Sequence, residues 1–412
     1  MKHRSSLRRR DFLKGSAAAI AVGFGTGYEG RARAAGIDSI EEAAAKVGRL
    51  PRRKLGYSGR EVSVLLGAGD LAALPTQAAI LCGVNYWHKA NEWSQSSVPQ
   101  AILKDREAYY CQVSVDRVGG SQESGRIDEE THYTFVKESL KETKLGYYDD
   151  MQLHFGYFNA AEVKNNRGFI RAFERLKKEG LVKHLCLSQH GYAGNTRIPG
   201  GGESAAEVLS AVIEDGLYEC AQFMYSYGDD PTLTKLFELA KKKNFGTVAM
   251  KTSRGLGRMR EDESFMNSLP QGTAPHNALV RWLTTATPLD AAVIRVRTLD
   301  EFVETFSGAG KSLRAEDAQA IEMMIDRADR IACRLCTECQ PYCPQQVPIA
   351  DILRFERYAL DDREPSKARA LYAGLERRAD ECQSCGSCLG HCPQGLAIPD
   401  RLAAAHSLLS RA

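Results

Sequence analysis

Between about residues 52 and 310, short apolar runs alternate with segments in which apolar residues recur every three or four positions. The runs Val62–Leu66, Val84–Trp87, Tyr109–Val115, Asp150–Phe155, Val182–Ser188, Glu219–Tyr225, Gly246–Lys251 and Ala291–Arg295 have the length and continuity of strands buried on both faces. The segments between them carry one apolar stripe each, as helices laid on a sheet do. "GFIRAFERLKKEG" puts Phe169, Ile170, Phe173 and Leu176 on one side, and "DEETHYTFVKESLKETK" starts at Asp128, whose carboxylate can accept from the first free backbone N–H groups. Eight such units predict an α/β chain closed into a (β/α)8, or TIM, barrel, with an open doubly wound sheet as the alternative. The alternative rests on Gly67-Ala68-Gly69-Asp70-Leu71-Ala72, a G-x-G-x-x-A behind the first strand. Pro75 follows it closely and is expected to interrupt the helix that such a phosphate-binding turn requires.

From about residue 320 to 409 the pattern changes. Cys333, Cys336, Cys339 and Cys343 before Pro344, and Cys382, Cys385, Cys388 and Cys392 before Pro393, both read C-x2-C-x2-C-x3-C-P. This is the bacterial ferredoxin spacing, in which three closely spaced thiolates hold three corners of one 4Fe-4S cube and the fourth reaches the other cube. The spacing predicts Cys333, Cys336, Cys339 and Cys392 as ligands of one cluster, and Cys382, Cys385, Cys388 and Cys343 as ligands of the second. Structural zinc prefers paired C-x2-C units, and a disulfide framework needs no tandem copy, so both are weaker readings. The link between the runs, "IADILRFERYAL" and "SKARALYAGLERRA" either side of Asp361-Asp362-Arg363-Glu364-Pro365, has helical periodicity. A small, mostly α-helical dicluster domain is therefore expected after the barrel. Cys82, Cys111, Cys186 and Cys220 lie in or beside apolar stretches, where free cysteine serves as a small core residue.

Composition narrows the function classes. With 43% apolar and 26% charged residues and a net charge of +3, the chain has no basic face for nucleic acid. No run of about 20 apolar residues is present to span a bilayer. Residues 1–34 form a separate segment with a basic head, a weakly apolar Ala- and Gly-rich middle, and Ala32-Arg33-Ala34 as an A-x-A cleavage site. Within it Arg9-Arg10-Asp11-Phe12-Leu13-Lys14 resembles the twin-arginine (Tat) export signal, with Arg8 in place of the usual Ser or Thr. That resemblance implies passage through the Tat translocase to the periplasm or outer envelope, or a membrane tether where the signal is not cleaved. It agrees with the cysteine runs, because this route carries proteins already folded around their cofactors.

Within the barrel, "RRKLGYSGREVSVLLGAGD", "GVNYW", "LGYYDDMQLHFG", "FERLKKEGLVKHLCLSQH" and "FGTVAMK" resemble successive landmarks of the aldo/keto reductases. The appended domain, with "CRLCTECQPYCPQQVPIA" and "CQSCGSCLGHCPQGLAIP", resembles the branch that carries a C-terminal dicluster ferredoxin. The resemblance implies hydride transfer from NADPH to a carbonyl, with a tyrosine as proton donor tuned by a lysine, an aspartate and a histidine. Here the aspartate position is His88, the tyrosine position Trp93 and the lysine position Ser114, and only His154 keeps the family residue. An indole N–H is no acid near neutral pH.

His88 and His154 are then the candidate proton carriers, and Lys89, His190 and Lys251 could face the same end of the barrel. The resemblance makes Ser188, Gln189, Gln222 and Lys251 the candidate nicotinamide cofactor site. The last strand ends "AAVIRVRTLDEF", without the family's phosphate-binding pattern, though Arg295 and Arg297 could meet a phosphate. NADPH moves two electrons as hydride and each cluster takes one, so coupling them calls for a divider such as a flavin, of which no signature stands out. The expected function is an exported iron-sulfur oxidoreductase. Its clusters exchange electrons between an envelope electron-transfer protein and a small-molecule substrate or cofactor at an altered aldo/keto reductase barrel. The alternatives are an active NADPH-dependent reductase with a rebuilt proton donor, and a non-catalytic subunit of an envelope redox complex.

Overall fold

Strand β1 (Arg52–Lys54) pairs antiparallel with β2 (Glu61–Ser63), and the chain then enters a closed barrel of parallel strands. These are β3 (Leu65–Ala68), β4 (Tyr86–His88), β5 (Tyr110–Val115), β6 (Tyr148–Leu153), β7 (Val182–Gln189), β8 (Cys220–Met224), β9 (Gly246–Met250) and β10 (Ala291–Val293), closed where β10 pairs with β3. The computed structural model describes residues 37–56, 59–69, 72–116, 127–191, 202–228 and 233–411, and Ile37–Ala412 forms one compact unit. The export segment, residues 1–34, lies outside the described residues. Among the described residues no helix is long and apolar enough to cross a membrane.

Each predicted run corresponds to one barrel strand except the first. Val62–Leu66 is divided at Val64 between the hairpin and β3. The hairpin plugs the amino-terminal end of the barrel: Leu55 and Val62 pack against Leu66, Tyr86, Cys186, Cys220, Val248 and Ala291. The helices follow their sequence signals. Asp128 caps Glu129–Thr143 by accepting from Thr131 N at 3.1 Å, and Gly168–Lys178 buries Phe169, Ile170, Phe173 and Leu176.

Pro75 does not interrupt its helix. It stands third in Ala73–Leu81, in the first turn, where no N–H is needed from it. The neighbouring glycines are explained by packing against β4. A Cβ on Gly67 would lie 2.2 Å from the Trp87 ring, and one on Gly69 would lie 2.2 Å from the Lys89 carbonyl oxygen.

Beyond β10, helix Ala315–Ile331 contributes Ile321, Met324 and Ala328 to the barrel's own core. A second core then begins, formed by Val347, Ile349, Ile352, Leu353, Phe355, Tyr358 and residues up to Leu409. Its main helices are Ile349–Leu360, Pro365–Ala373 and Ile398–Leu409. This second core sits over the carboxyl ends of the barrel strands, the end at which barrel enzymes place their chemistry.

Candidate functional site at the barrel mouth

A cavity of about 210 Å³ lies between the carboxyl ends of the strands and the C-terminal domain. From the barrel it is lined by His88, Lys89, His154, His190, Gln222 and Lys251, among others, and it is roofed by Tyr358 and the turn Asp361 to Glu364. The structure thus brings together both candidate proton carriers and the three companions named with them. Lys89 (φ 53°), Phe155 (φ 64°) and Lys251 (φ 56°) each follow a strand end and hold a left-handed backbone. Such conformations cost about 1–3 kcal/mol each and cluster where surrounding structure needs a side chain aimed.

A buried polar chain supports His88 from below. Arg60 pairs with Asp150 at 2.5 Å, the Tyr86 hydroxyl donates to Asp150, Gln112 Nε2 donates to the Tyr86 oxygen at 3.2 Å, and His88 Nδ1 meets Gln112 Oε1 at 2.6 Å. The donor order fixes the imidazole. Tyr86 gives its only proton to the carboxylate, so its oxygen must accept from the Gln112 amide, which leaves the Gln112 carbonyl for His88. Nδ1 therefore carries the proton and Nε2 keeps its lone pair. Burial, with Lys89 beside it, lowers the His88 pKa to about 3.

His154 gains a partner that the sequence did not announce. Its Nδ1 contacts the Asp116 carboxylate, its ring stacks on Phe155, and its pKa is lowered by burial and Lys89 against the pull of Asp116. His190 stands beside both, with its ring centroid 4.9 Å from Phe155 and 5.8 Å from His154. Trp93 is not on this wall. It is buried against Trp87, with ring centroids 5.5 Å apart. Ser114 binds Asn91 through its backbone and Gln152 through its hydroxyl.

The candidate nicotinamide residues divide. Gln222 lines the cavity and donates to Met250 Sδ at 3.4 Å. Gln189 turns to the Tyr157 backbone, accepting from its N–H at 3.2 Å and donating to its carbonyl at 2.9 Å. Ser188 is buried beside Met250 Sδ, and neither Ser188 nor Gln189 is part of the cavity wall. The cofactor-site candidate Lys251 and the candidate phosphate-binding cations Arg295 and Arg297 are already engaged by the C-terminal domain. Lys251 pairs with Asp362 at 2.6 Å, Arg295 pairs with Glu364, and Arg297 donates to the Asp362 and Arg363 carbonyls at 3.1 and 3.2 Å. Lys251 keeps a raised pKa, because Asp362, Tyr358 and Glu364 outweigh its burial. The acidic turn occupies the place in which a nucleotide phosphate would need those charges, so these residues do not fit a bound NADP.

Further contacts fix this roof. Arg258 grips the buried Asp361 carboxylate at 3.0 Å and Glu356 at 3.3 Å, Gly255 N donates to Asp361 at 3.1 Å, and Arg357 donates to the Lys251 carbonyl. Asp329 accepts from Arg254 at 2.6 Å, Arg334 at 2.8 Å and Gln394 at 2.8 Å, tying both cysteine runs to the barrel side.

The cysteines gather across the runs. Cys333, Cys336, Cys339 and Cys392 line one small cavity, and Cys343, Cys382, Cys385 and Cys388 line another. Burial pushes the Cys333 thiol up to about 12, so its thiolate needs a strong cation beside it. Leu335 N donates to Cys333 Sγ at 3.3 Å and Leu396 N to Cys392 Sγ at 3.4 Å, contacts of the kind that tune cluster sulfurs. The donor sets fit two 4Fe-4S clusters. Cys82, Cys111, Cys186 and Cys220 are buried free thiols.

The residues sequence reasoning missed are Gln112, Asp116, Tyr358 and the carboxylates of the roofing turn. The "DDREP" break was visible, but nothing local marks its barrel partners. The 4Fe-4S dicluster domain family matches residues 332–397. No curated protein matches the chain in sequence. Among solved structures, the holo form of the aldo-keto reductase AKR11C1 from Bacillus halodurans is similar with a TM-score of 0.50 and 19% identity, over 67% of this chain and 96% of that one. A Pseudomonas aeruginosa protein described as a candidate aldo-keto reductase is similar with a TM-score of 0.48 and 17% identity, over 65% of this chain and 98% of that one. The chain joins a barrel whose fold is similar to that of a solved aldo-keto reductase to a C-terminal region that matches the 4Fe-4S dicluster domain family.

Proposed function

We propose that this is an exported iron-sulfur oxidoreductase that exchanges single electrons between an envelope partner and a ligand at the mouth of its barrel. The carrying observation is helix Ile349–Leu360. Ile349 borders both cysteine cavities, Ala350 and Leu353 border the first, and Tyr358 borders the barrel cavity. At 1.5 Å rise per residue, Ala350 and Tyr358 are roughly 12 Å apart along that helix. Bound 4Fe-4S clusters supply one-electron transfer. The chain's own side chains do the rest: the eight cysteines hold the clusters, the roofing turn excludes water, and His88 and His154 hold protons at defined nitrogens. The displaced tyrosine position and the neutralised phosphate-binding cations argue against hydride chemistry from NADPH. Export is supported by the amino-terminal signal alone.

The test uses anaerobic, cluster-loaded full-length protein. Cys336→Ser and Cys385→Ser should each abolish electron exchange between a cavity ligand and an external one-electron mediator, while the barrel stays folded by circular dichroism. Exchange that persists in both variants overturns the proposal. The His154–Asp116 pair favours one second reading, a reductase whose acid has been rebuilt. That reading requires NADPH binding at micromolar concentration and carbonyl reduction that disappears in His154→Ala.

A further inference from the structure

His190 is 7% exposed, it faces the barrel-mouth cavity, and neither of its buried ring nitrogens has a hydrogen-bond partner among the described residues. A buried polar group left so is costly, and a ligand that pairs with it relieves the cost. The rest of the wall describes that ligand. His88 Nε2 is a lone-pair acceptor because Gln112 holds Nδ1–H, and His154 Nε2 is another because Asp116 takes Nδ1–H. Burial keeps both rings neutral near pH 7, so each offers Nε2 as a hydrogen-bond acceptor to an O–H. Lys251 and Lys367 lie 4.6 and 5.3 Å from the Tyr358 ring centroid, each paired with a carboxylate of the roofing turn, Asp362 at 2.6 Å and Glu364 at 3.2 Å. Phe155 and Tyr358 offer aromatic faces, and Met250, Val293 and Ile294 add apolar surface.

At about 210 Å³ the space suits one substituted six-membered ring better than a dinucleotide. Proton acceptors beside a one-electron domain suit a molecule that loses protons and single electrons together without hydride.

We infer that the cavity binds the ring of a quinol/quinone pair, with His88 and His154 taking the two hydroxyl protons and His190 pairing with a ring substituent. On oxidation the departing electrons make the hydroxyls strongly acidic, two O–H bonds break and two C=O bonds form, and the protons pass through Nε2 of His88 and of His154, which as weak bases hand them on to water. The two electrons leave one at a time to acceptors of the iron-sulfur class. Reduction of the quinone runs the same account in reverse. This inference rests on the one-electron reading above and names its substrate class. The ring could come from a membrane quinol or from a soluble dihydroxyarene.

The experiment is anaerobic titration calorimetry of the full-length, cluster-loaded protein with 2,3-dimethoxy-5-methyl-1,4-benzoquinol, its quinone, its decyl-substituted form and catechol. The expected result is saturable binding of quinol, at least tenfold tighter than its quinone, with that preference lost in His88→Ala and in His154→Ala. Tighter binding of the decyl form identifies a membrane source; equal binding of catechol identifies a soluble one. Thermal protection of the unaltered chain by quinol gives a second readout that needs no variant. No saturation by any probe up to millimolar concentration, with cluster absorbance intact, overturns the inference. So does a quinol preference that survives both histidine changes. Failure of the one-electron reading looks different: quinol binds, but the cluster absorbance never responds to it.

Discussion

The two cysteine cavities are built from the same spacing and differ in what surrounds them. In the first, no cysteine is exposed, and Arg334, beside Cys333, and Gln394, two residues past Cys392, both reach Asp329, which also holds the fully buried Arg254 of the barrel. In the second, Cys385 is exposed with Ser387 Oγ 3.4 Å from its sulfur. Leu389 (43% exposed) and Tyr342 (49% exposed) stand on the loops around it. The spacing determines which thiols can share a cluster, while tertiary contacts determine which cavity faces the barrel and which faces solvent. The difference leaves the first, inner cavity tied through Asp329 to the barrel, and the second, outer cavity with one thiol, Cys385, exposed to solvent.

The largest expected effect comes from breaking the inner anchor. Asp329→Ala strands Arg254 without its carboxylate, which should cost about 3–5 kcal/mol. Melting should fall accordingly, and iron should be lost first from the inner cavity, leaving about half of the iron content. Preferential loss from the outer cavity would count against the comparison. A smaller effect is expected where the barrel touches the roof. A Cβ on Gly257 would lie 2.6 Å from Asp361 Cα and 2.7 Å from the Leu360 carbonyl oxygen. Gly257→Ala should therefore cost about 1–3 kcal/mol by overpacking. Hydrogen exchange should rise in residues 361–364 while the outer cysteine loop stays unchanged. Equal exchange in both regions would mean that the roof is not held by this close approach.

The same contrast explains what could be read from the chain. Strands such as Val182–Gln189 were legible because burial on both faces leaves an apolar run, and the cluster ligands were legible because coordination fixes their spacing. His88, Lys89, His154, His190 and Lys251 were legible as residues at or near strand ends, since closure of the barrel brings such positions to one rim. Their partners were not. Gln112 and Asp116 look like ordinary residues of one strand and its end, and Asp362 meets Lys251 across 111 positions of sequence. An ion pair of that separation depends on how two distinct hydrophobic cores pack together, and no local period or spacing encodes it. The division of Val62–Leu66 was hidden for a similar reason, because hairpin and barrel strand are both apolar there.

The smallest expected effect acts on the barrel side through protonation. The His88 pKa is lowered to about 3 by burial, whereas an unfolded histidine titrates near 6.5. Between those values the unfolded chain holds the extra proton, so stability is fully present above about pH 6.5 and falls as pH drops toward 3. By pH 5.5 this one residue should remove about 1 kcal/mol. His154 and His190 are lowered in the same direction, chiefly by burial, and steepen the loss. Urea unfolding of wild type and His88→Gln at pH 7.0 and 5.5 measures the contribution. The variant should lose about 1 kcal/mol less than wild type between the two conditions, whatever its stability at pH 7.0. Equal losses would mean that His88 is protonated in the folded protein. It would then offer a cation and not an acceptor to the cavity, and the barrel mouth would lose its claim to take protons while the contrast between the two cysteine cavities stood unchanged.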